Sequence, residues 1–242
     1  MQKITIVTPS YNQGPFLEET ILSVLSQKGN FYIDYIIADG GSKDQSVEII
    51  KKYDQILKKN QFPIKCMGIE FRWWSKKDNG TVDALNKGFK EAKGDILAYI
   101  ASDDFYEPNV FDIVLKRFQE DSSIVLVHGD CYFYYSKDKK DLKYSTETSF
   151  VDLLKIKNVI FSPSTFFIKK ILDKVGFIDE SFEYAADLDL WLKISKIGKT
   201  SYVPHVLSNF RVWENSKSTL LSDKFLMRER KRLLKRYGGQ KN

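Results

Sequence analysis

Ile96-Leu97-Ala98-Tyr99-Ile100-Ala101-Ser102-Asp103-Asp104 is the stretch that decides the fold. Its first six residues are apolar apart from the Tyr99 hydroxyl, and they follow a helical pattern that ends at Lys93-Gly94. A short continuous apolar run bounded by turn residues predicts a buried strand, and burial on both faces points to a parallel sheet. The two carboxylates then stand where the strand leaves the sheet, the edge at which open α/β sheets bind ligands. Adjacent acids repel one another and stay ionised most easily with a cation between them and a ligand. A hard divalent ion holding phosphate oxygens suits that place. The same dipeptide also fits a plain turn in which Asp104 caps a helix beginning at Pro108.

Upstream, residues 3–8 are rich in β-branched side chains and predict a strand that runs into the turn Pro9-Ser10-Tyr11-Asn12-Gln13-Gly14-Pro15. Leu17, Ile21, Val24 and Leu25 follow at helical spacing, with Pro15 in the first turn. Residues 32–38 predict a second strand ending at Asp39-Gly40-Gly41-Ser42, and Val47, Ile50 and Tyr53 a second helix. Strand–helix–strand–helix is the order of a parallel sheet with helical crossovers. Asp39 is the first residue past its strand and is placed for a ribose hydroxyl or a base N–H; Asp-Gly-Gly-Ser is equally an ordinary turn. Residues 71–74 predict a third strand, and Thr81 caps a helix with Val82, Leu85, Phe89 and Ala92 on one side. Asp83, Asn86 and Lys87 occupy its other side near the amino end, where anions are favoured, or simply form a solvated face.

Downstream, residues 108–119 predict a helix with Val110, Phe111, Val114, Leu115 and Phe118 as its apolar stripe. Residues 124–128 and 131–135 predict two antiparallel strands joined by Gly129-Asp130. Residues 137–143 read as a mobile loop and 165–168 as a short strand. A helix beginning near Tyr184 turns Leu188, Trp191, Leu192 and Ser195 inward, with Asp187 and Asp189 in a first turn whose dipole favours acids. His128 and His205 read as core or rim side chains.

The 242 residues suit one large domain with a small appendage, and 43% hydrophobic content with 17 Phe and 13 Tyr supports a sizeable core and excludes disorder. No apolar run approaches the roughly 18 residues of a membrane span, and Met1-Gln2-Lys3 leads straight into a strand, so a cytoplasmic chain is expected. Cys66 and Cys131 fit neither a disulfide framework nor a zinc spacing and are expected to be buried free thiols. Eight Lys/Arg but one acid, Glu229, fall in residues 224–242, whereas residues 1–223 hold 30 basic and 31 acidic side chains. A neutral body with a basic tail argues against a nucleic-acid partner.

Four stretches together resemble the family 2 glycosyltransferases: Thr8-Pro9-Ser10-Tyr11-Asn12; Asp39-Gly40-Gly41-Ser42; Asp78-Asn79-Gly80 through Asp83-Ala84-Leu85-Asn86-Lys87-Gly88-Phe89 to Ser102-Asp103-Asp104; and Ala186-Asp187-Leu188-Asp189-Leu190-Trp191. The resemblance covers about residues 3–215, in the family's order and spacing. It implies an α/β fold of GT-A type, a mainly parallel Rossmann-like sheet flanked by helices with a smaller antiparallel acceptor-side portion. Residues 1–120 would be the nucleotide-sugar half, 121–215 the acceptor half and 216–242 a basic helical tail. It further implies an inverting transferase using a nucleotide-sugar, most often a UDP-sugar, and a glycan or lipid-linked acceptor. In this resemblance Pro9, Ser10 and Tyr11 cradle the nucleoside, Asp39 takes the base, and Asp83, Asn86 and Lys87 lie near the donor. Asp103 faces the ribose or sugar, Asp104 holds Mg²⁺ or Mn²⁺ on the diphosphate, and Asp187 matches the general base. One base and one metal suffice for a single displacement through a cation of oxocarbenium character.

Many enzymes of this fold complete the metal site with a late histidine after an arginine. Here Asn209-Phe210-Arg211-Val212-Trp213-Glu214-Asn215-Ser216 has Trp213 at that place, and Trp cannot ligate a metal. Asp104, diphosphate and water, or Glu214 in addition, would then hold the ion. Residues 220–237 read as a basic helix with an imperfect apolar stripe (Phe225, Leu226, Leu233, Leu234, Tyr237), suited to the anionic inner face of the plasma membrane or to packing on its own domain. A nicotinamide oxidoreductase needs a glycine-rich turn where this chain has Pro9-Ser10-Tyr11-Asn12-Gln13-Gly14. A non-catalytic nucleotide-sugar or glycan-binding module would have no use for Asp104 or Asp187.

Overall fold

Residues 4–10 are all buried, which requires packed layers on both faces of the strand they form. In the computed structural model, which describes residues 2–155, 159–214, 216, 219 and 223–238, this strand is β1 (Gln2–Ser10). β2 (Phe31–Asp39) and then β3 (Gly68–Ser75) add in parallel on one side of it, and β4 (Ile96–Tyr99) pairs in parallel on the other. The connections run through α1 (Gly14–Leu25), α2 (Ser46–Lys58) and α3 (Thr81–Glu91). Strand alternation divides the core: Ile4 and Ile6 pack with Leu17 and Ile21 of α1 and Ile50 of α2, while Val7 packs with Leu85 and Phe89 of α3. The order β3-β2-β1-β4 places the topological switch point between β1 and β4. A Cβ at Gly88 would lie 2.4 Å from Val7 Cγ1, so α3 rides close over β1. Gly88→Ala is expected to cost about 1–3 kcal/mol of overpacking, measurable as a lower urea midpoint.

The chain continues through β5 (Phe105–Tyr106), α4 (Val110–Glu120), β6 (Ile124–Ser136), β7 (Lys139–Lys143), α5 (Phe150–Leu154), β8 (Thr165–Ile168), α6 (Leu172–Val175), α7 (Ala186–Ser195) and β9 (Lys199–Arg211). β8 joins β4 antiparallel, and the described residues build one nine-stranded sheet, continuing β4-β8-β6-β9-β5 with β7 paired to β6. The expected hairpin at Gly129-Asp130 is absent: β6 is a single 13-residue strand that pairs in parallel with β9, with register shifts at these two residues. A Cβ at Gly129 would lie 2.7 Å from the His205 carbonyl oxygen, so the glycine permits close passage of β9 and makes no turn. The Asp130 carboxylate accepts the Ser145 N–H at 2.8 Å and the Tyr202 hydroxyl at 2.9 Å.

The charged segment expected to be a mobile loop is the turn and second strand of a β6–β7 hairpin. The ammonium groups of Lys140 and Lys143 lie 3.9 and 5.4 Å from the ring centroids of Tyr132 and Phe133, so these lysines cover an aromatic face. Gly80, with φ of 103°, caps α3 in place of Thr81, and Asn109 precedes α4, so Asp104 caps nothing. Both cysteines are free, but Cys66 is only half-buried. His128 is buried, which lowers its pKa to about 4, and His205 is exposed.

The tail forms α8 (Asp223–Tyr237); residues 220–222 of the predicted helix lie outside the described residues. Glu229 is what seats it. Buried Glu229 accepts the backbone N–H groups of Glu183 at 2.9 Å and of Tyr184 and Ala185 at 2.8 Å, just before α7 begins. Leu233 is buried beside it, and Arg236 and Tyr237 reach Asp189 of α7 at 3.0 and 2.6 Å.

Candidate functional site

At the carboxyl edge of β1, β2 and β4 the backbone opens into a cleft of about 890 Å³. Pro9, Ser10 and Tyr11 line it from β1, Gly40-Gly41-Ser42 from β2, and Asp103 from beyond β4. Tyr11 is 60% exposed at this cleft, an aromatic face presented to any planar ligand. Ser10 Oγ and Gln13 Oε1 are buried there without a hydrogen-bond partner among the described residues, a pairing that a ligand can complete. Lys43, Lys76 and Lys77 also line the cleft and make it suited to phosphate oxygens.

Asp39 does not line the cleft; it builds the wall behind it. Its buried carboxylate accepts the N–H groups of Gly41 at 3.0 Å and Ser42 at 2.9 Å, and the hydroxyls of Ser42 at 2.5 Å and Ser75 at 2.6 Å. The glycine pair is sterically required, since Gly41 has φ of 85° and a Cβ at Gly40 would lie 2.9 Å from Asp78 Oδ2. Asp78, which accepts the Gly80 N–H at 2.9 Å, is itself a cleft residue that the sequence reading left unassigned.

Past β4 the two acids separate. Asp103 lines the cleft just described, and Asp104, 3% exposed, turns toward a second cavity. The Thr20 hydroxyl donates to the Asp104 carbonyl oxygen at 2.6 Å and the Ser102 carbonyl oxygen at 3.0 Å, fixing the turn from α1. Arg211, at the end of β9, closes it from the other side: its N–H donates to Asp104 Oδ1 and its Nε–H to the Asp103 carbonyl oxygen, each at 2.8 Å. The guanidinium lies 4.8, 5.3 and 4.9 Å from the ring centroids of Phe16, Phe105 and Tyr134 and pairs with Glu19. Trp213 packs on Phe16 and donates its indole N–H to Asp103 Oδ2 at 2.9 Å. The residue standing where a histidine was expected is thus a hydrogen-bond donor to the acid pair.

Burial first, and the Asp103 charge second, push the Asp104 carboxyl well above the usual carboxylate range, opposed by the Arg211 N–H. A cation would relieve both effects. Asp104 Oδ2 and Asp103 Oδ1 have no hydrogen-bond partner among the described residues, and hard oxygens on adjacent residues beside a lysine-lined cleft fit Mg²⁺ or Mn²⁺ completed by diphosphate and water. No group of three His, Cys, Asp or Glu among the described residues could hold an ion by itself. Glu214 lies exposed in the turn beyond Trp213.

The second cavity, about 500 Å³, shares Ala101 with the first and has Asp104 and Asp187 in its otherwise largely apolar wall. Asp187 is the second residue of α7; it accepts the Leu188 N–H at 2.7 Å and the Ser162 hydroxyl. Burial raises its carboxyl, which the Ser162 hydrogen bond partly opposes. A carboxylate held above its ordinary range is a stronger base, suited to taking a proton from a hydroxyl in that cavity. Asp189 faces the other way and is held by Lys193 at 2.6 Å, Arg236 and Tyr237.

The remaining candidates are not gathered here. Asp83, Asn86 and Lys87 line neither cavity. Asp83 accepts from the Asn79 N–H at 2.9 Å and from Lys87 at 2.8 Å, a surface pair one helical turn apart. Buried Asn86 exchanges both hydrogen bonds with the Ile178 backbone, at 3.0 and 3.1 Å, and so ties α3 to the segment leading into α7.

A family model for glycosyl transferase family 2 matches residues 5–176. The chain belongs to this family. An uncharacterized glycosyltransferase of Rickettsia typhi is 28% identical over 217 residues, covering 86% of this chain and 64% of the relative, so the chain spans about two-thirds of that protein's length. A Bacillus subtilis protein named for teichuronic acid biosynthesis, TuaG, is 27% identical over 222 residues, covering 89% of this chain and 81% of its own. Among solved structures, Staphylococcus aureus TarS in complex with UDP-GlcNAc superposes with a TM-score of 0.71 at 16% identity, over 96% of this chain and 65% of that one. The mannosyltransferase PcManGT of Pyrobaculum calidifontis, in complex with GDP-Man and Mn²⁺, gives 0.63 at 14% identity, over 88% and 58%. The fold of this family 2 member is of GT-A type, as its motifs implied.

Proposed function

We propose that this family 2 domain is an inverting glycosyltransferase that moves a sugar from a UDP-sugar to a hydroxyl of a growing glycan or lipid-linked oligosaccharide. The observation that carries the proposal is the meeting of the two cavities at Ala101, with Asp103 in the wall of one and Asp104 and Asp187 in the wall of the other. Pro9, Ser10 and Tyr11 hold the nucleoside, on a turn that Asp39 shapes from behind. Asp103 faces the ribose or sugar, and Lys43, Lys76 and Lys77 attract the diphosphate. Asp104 would hold the divalent ion, which when bound supplies positive charge against the departing diphosphate. Asp187 removes the proton from the acceptor hydroxyl as it attacks. The UDP-GlcNAc complex of TarS and the GDP-Man and Mn²⁺ complex of PcManGT, which share the fold, support a nucleotide-sugar and metal in this cleft. A carboxylate base in a second cavity favours transfer over a non-catalytic binding module.

UDP is expected to raise the melting temperature, further so with Mn²⁺, because ligands of the folded state stabilise it by mass action. Asp104→Asn should remove the Mn²⁺-dependent part and leave a shift with UDP alone. No shift with UDP under either condition would overturn the donor assignment.

The exposed side of α8 carries Met227, Leu234, Arg228, Lys231 and Lys235, an apolar and basic combination suited to an anionic membrane surface. No helix among the described residues is long and apolar enough to cross a membrane. Sedimentation with phosphatidylglycerol vesicles is expected, and reversing Arg228, Lys231 and Lys235 to Glu should abolish it; undiminished binding of that variant would remove the membrane from the account. Truncation is the poorer test, because it also removes Glu229 from α7.

A further inference from the structure

Arg230 is the only basic residue among those lining the second cavity, and among the described residues it has no hydrogen-bond or ion-pair partner. Its Nε–H is buried without an acceptor. Two arginines farther along α8 are matched: Arg232 donates to the Ser181 carbonyl oxygen and hydroxyl at 3.0 and 3.1 Å, and Arg236 pairs with Asp179 at 2.7 Å and Asp189 at 3.0 Å. An unmatched buried N–H is costly to the fold, so the place is built for something that completes it. Asp187 is near enough to feel the Arg230 charge but makes no ion pair with it. The same cavity is lined by Phe133, Phe161, Phe210, Leu226 and Trp191, whose own indole N–H is also buried and unpartnered among the described residues. In so apolar a setting a guanidinium attracts an anion far more strongly than in water, and its fork matches the oxygens of phosphate and carboxylate.

We infer that this cavity receives an acceptor bearing an anionic group, a phosphate or a carboxylate, whose oxygens pair with Arg230 while its hydroxyl faces Asp187. The word acceptor rests on the transferase assignment above; the anion site does not. The acceptor class is thereby narrowed to anionic glycans and phosphate-linked carriers, and neutral sugars are poor occupants.

The test is calorimetric titration of the full chain with phenyl phosphate, phenylacetate and benzyl alcohol, which share an apolar ring and differ in charge. At least one anion is expected to bind about tenfold or more tightly than the alcohol, equivalent to about 1.4 kcal/mol. Phenyl phosphate as the better ligand would indicate a phosphate-bearing acceptor, and phenylacetate a uronate-like one. Arg230→Gln should abolish the preference and Arg230→Lys restore part of it. Because the lysine-lined cleft also attracts phosphate, the titrations are repeated with Lys76→Gln/Lys77→Gln, where the Arg230-dependent preference should persist. A preference that survives Arg230→Gln, or that disappears with the two lysines, overturns the inference. Should Arg230→Gln not fold, the ¹⁵Nε–¹Hε resonance of Arg230 in the unmutated chain decides: the tighter-binding of the two anions must shift it, and a resonance unmoved at saturation with both overturns the site. UDP-sugar hydrolysis is measured alongside. Hydrolysis without an Arg230-dependent anion preference defeats this inference alone, whereas an anion site without any turnover defeats the transferase assignment and leaves the site standing.

Discussion

Asp187→Asn is expected to lower transfer by about 10²–10⁴-fold, the contribution of a positioned general base, and to leave UDP binding unchanged. The asparagine keeps the side-chain shape beside Ser162 but cannot take a proton at neutral pH. The expected stability change has the opposite sign from that of most buried substitutions. Burial raises the Asp187 carboxyl in the folded chain, so folding binds that proton more tightly than the unfolded state does. The resulting penalty is absent below the unfolded-state value, grows as pH rises, and is complete above the folded-state value, so at neutral pH the ionised carboxylate weakens the fold. The melting temperature of Asp187→Asn at neutral pH should therefore be unchanged or higher. Activity of the unmutated protein should fall on the acid side as Asp187 becomes protonated. UDP-release assays and calorimetry on the same preparations check both, and a variant that still transfers would remove Asp187 from the role of base.

Glu229→Ala is expected to destabilise the protein by about 2–5 kcal/mol, because three backbone N–H groups, one of them buried, lose a charged acceptor at once. The same N–H groups, of Glu183, Tyr184 and Ala185, lead directly into Ala186 and Asp187, so transfer should fall together with stability. Glu229→Gln keeps an acceptor oxygen and should retain part of both. Urea unfolding decides it: a loss below about 0.5 kcal/mol, the range of an ordinary surface change, would mean that α8 is not seated on α7 in solution.

The parallel half of the sheet was legible because strands buried on both faces leave apolar runs, as in residues 35–38 and 96–100. The strand ends were legible for the same reason, and they put Asp39 and Asp103 at the carboxyl edge of the sheet. The acceptor half was harder. Gly129-Asp130 carries the composition of a hairpin turn, and nothing local distinguishes a turn from a glycine that lets another strand pass 2.7 Å from where its Cβ would be. Residues 139–143 looked solvated because their lysines are charged, yet those side chains lie over aromatic rings. Asn86 resembled a ligand by its place on α3, but its partners are backbone atoms of Ile178, distant in sequence. Ser162 and Arg230 gave no local signal at all, since they enter the site from the turn before β8 and from α8, and Arg211 was legible only as the arginine that precedes Trp213. Side chains delivered by the tertiary fold were the ones the sequence left unassigned.

The account stands or falls most directly on the anomeric configuration of the sugar first released or transferred from the UDP-sugar that stabilises the protein most, read by proton NMR before mutarotation. A single displacement assisted by Asp187 predicts inversion, an α-linked donor giving a β product. Retention of configuration would contradict it and require a covalent or front-side route that these residues were not assigned.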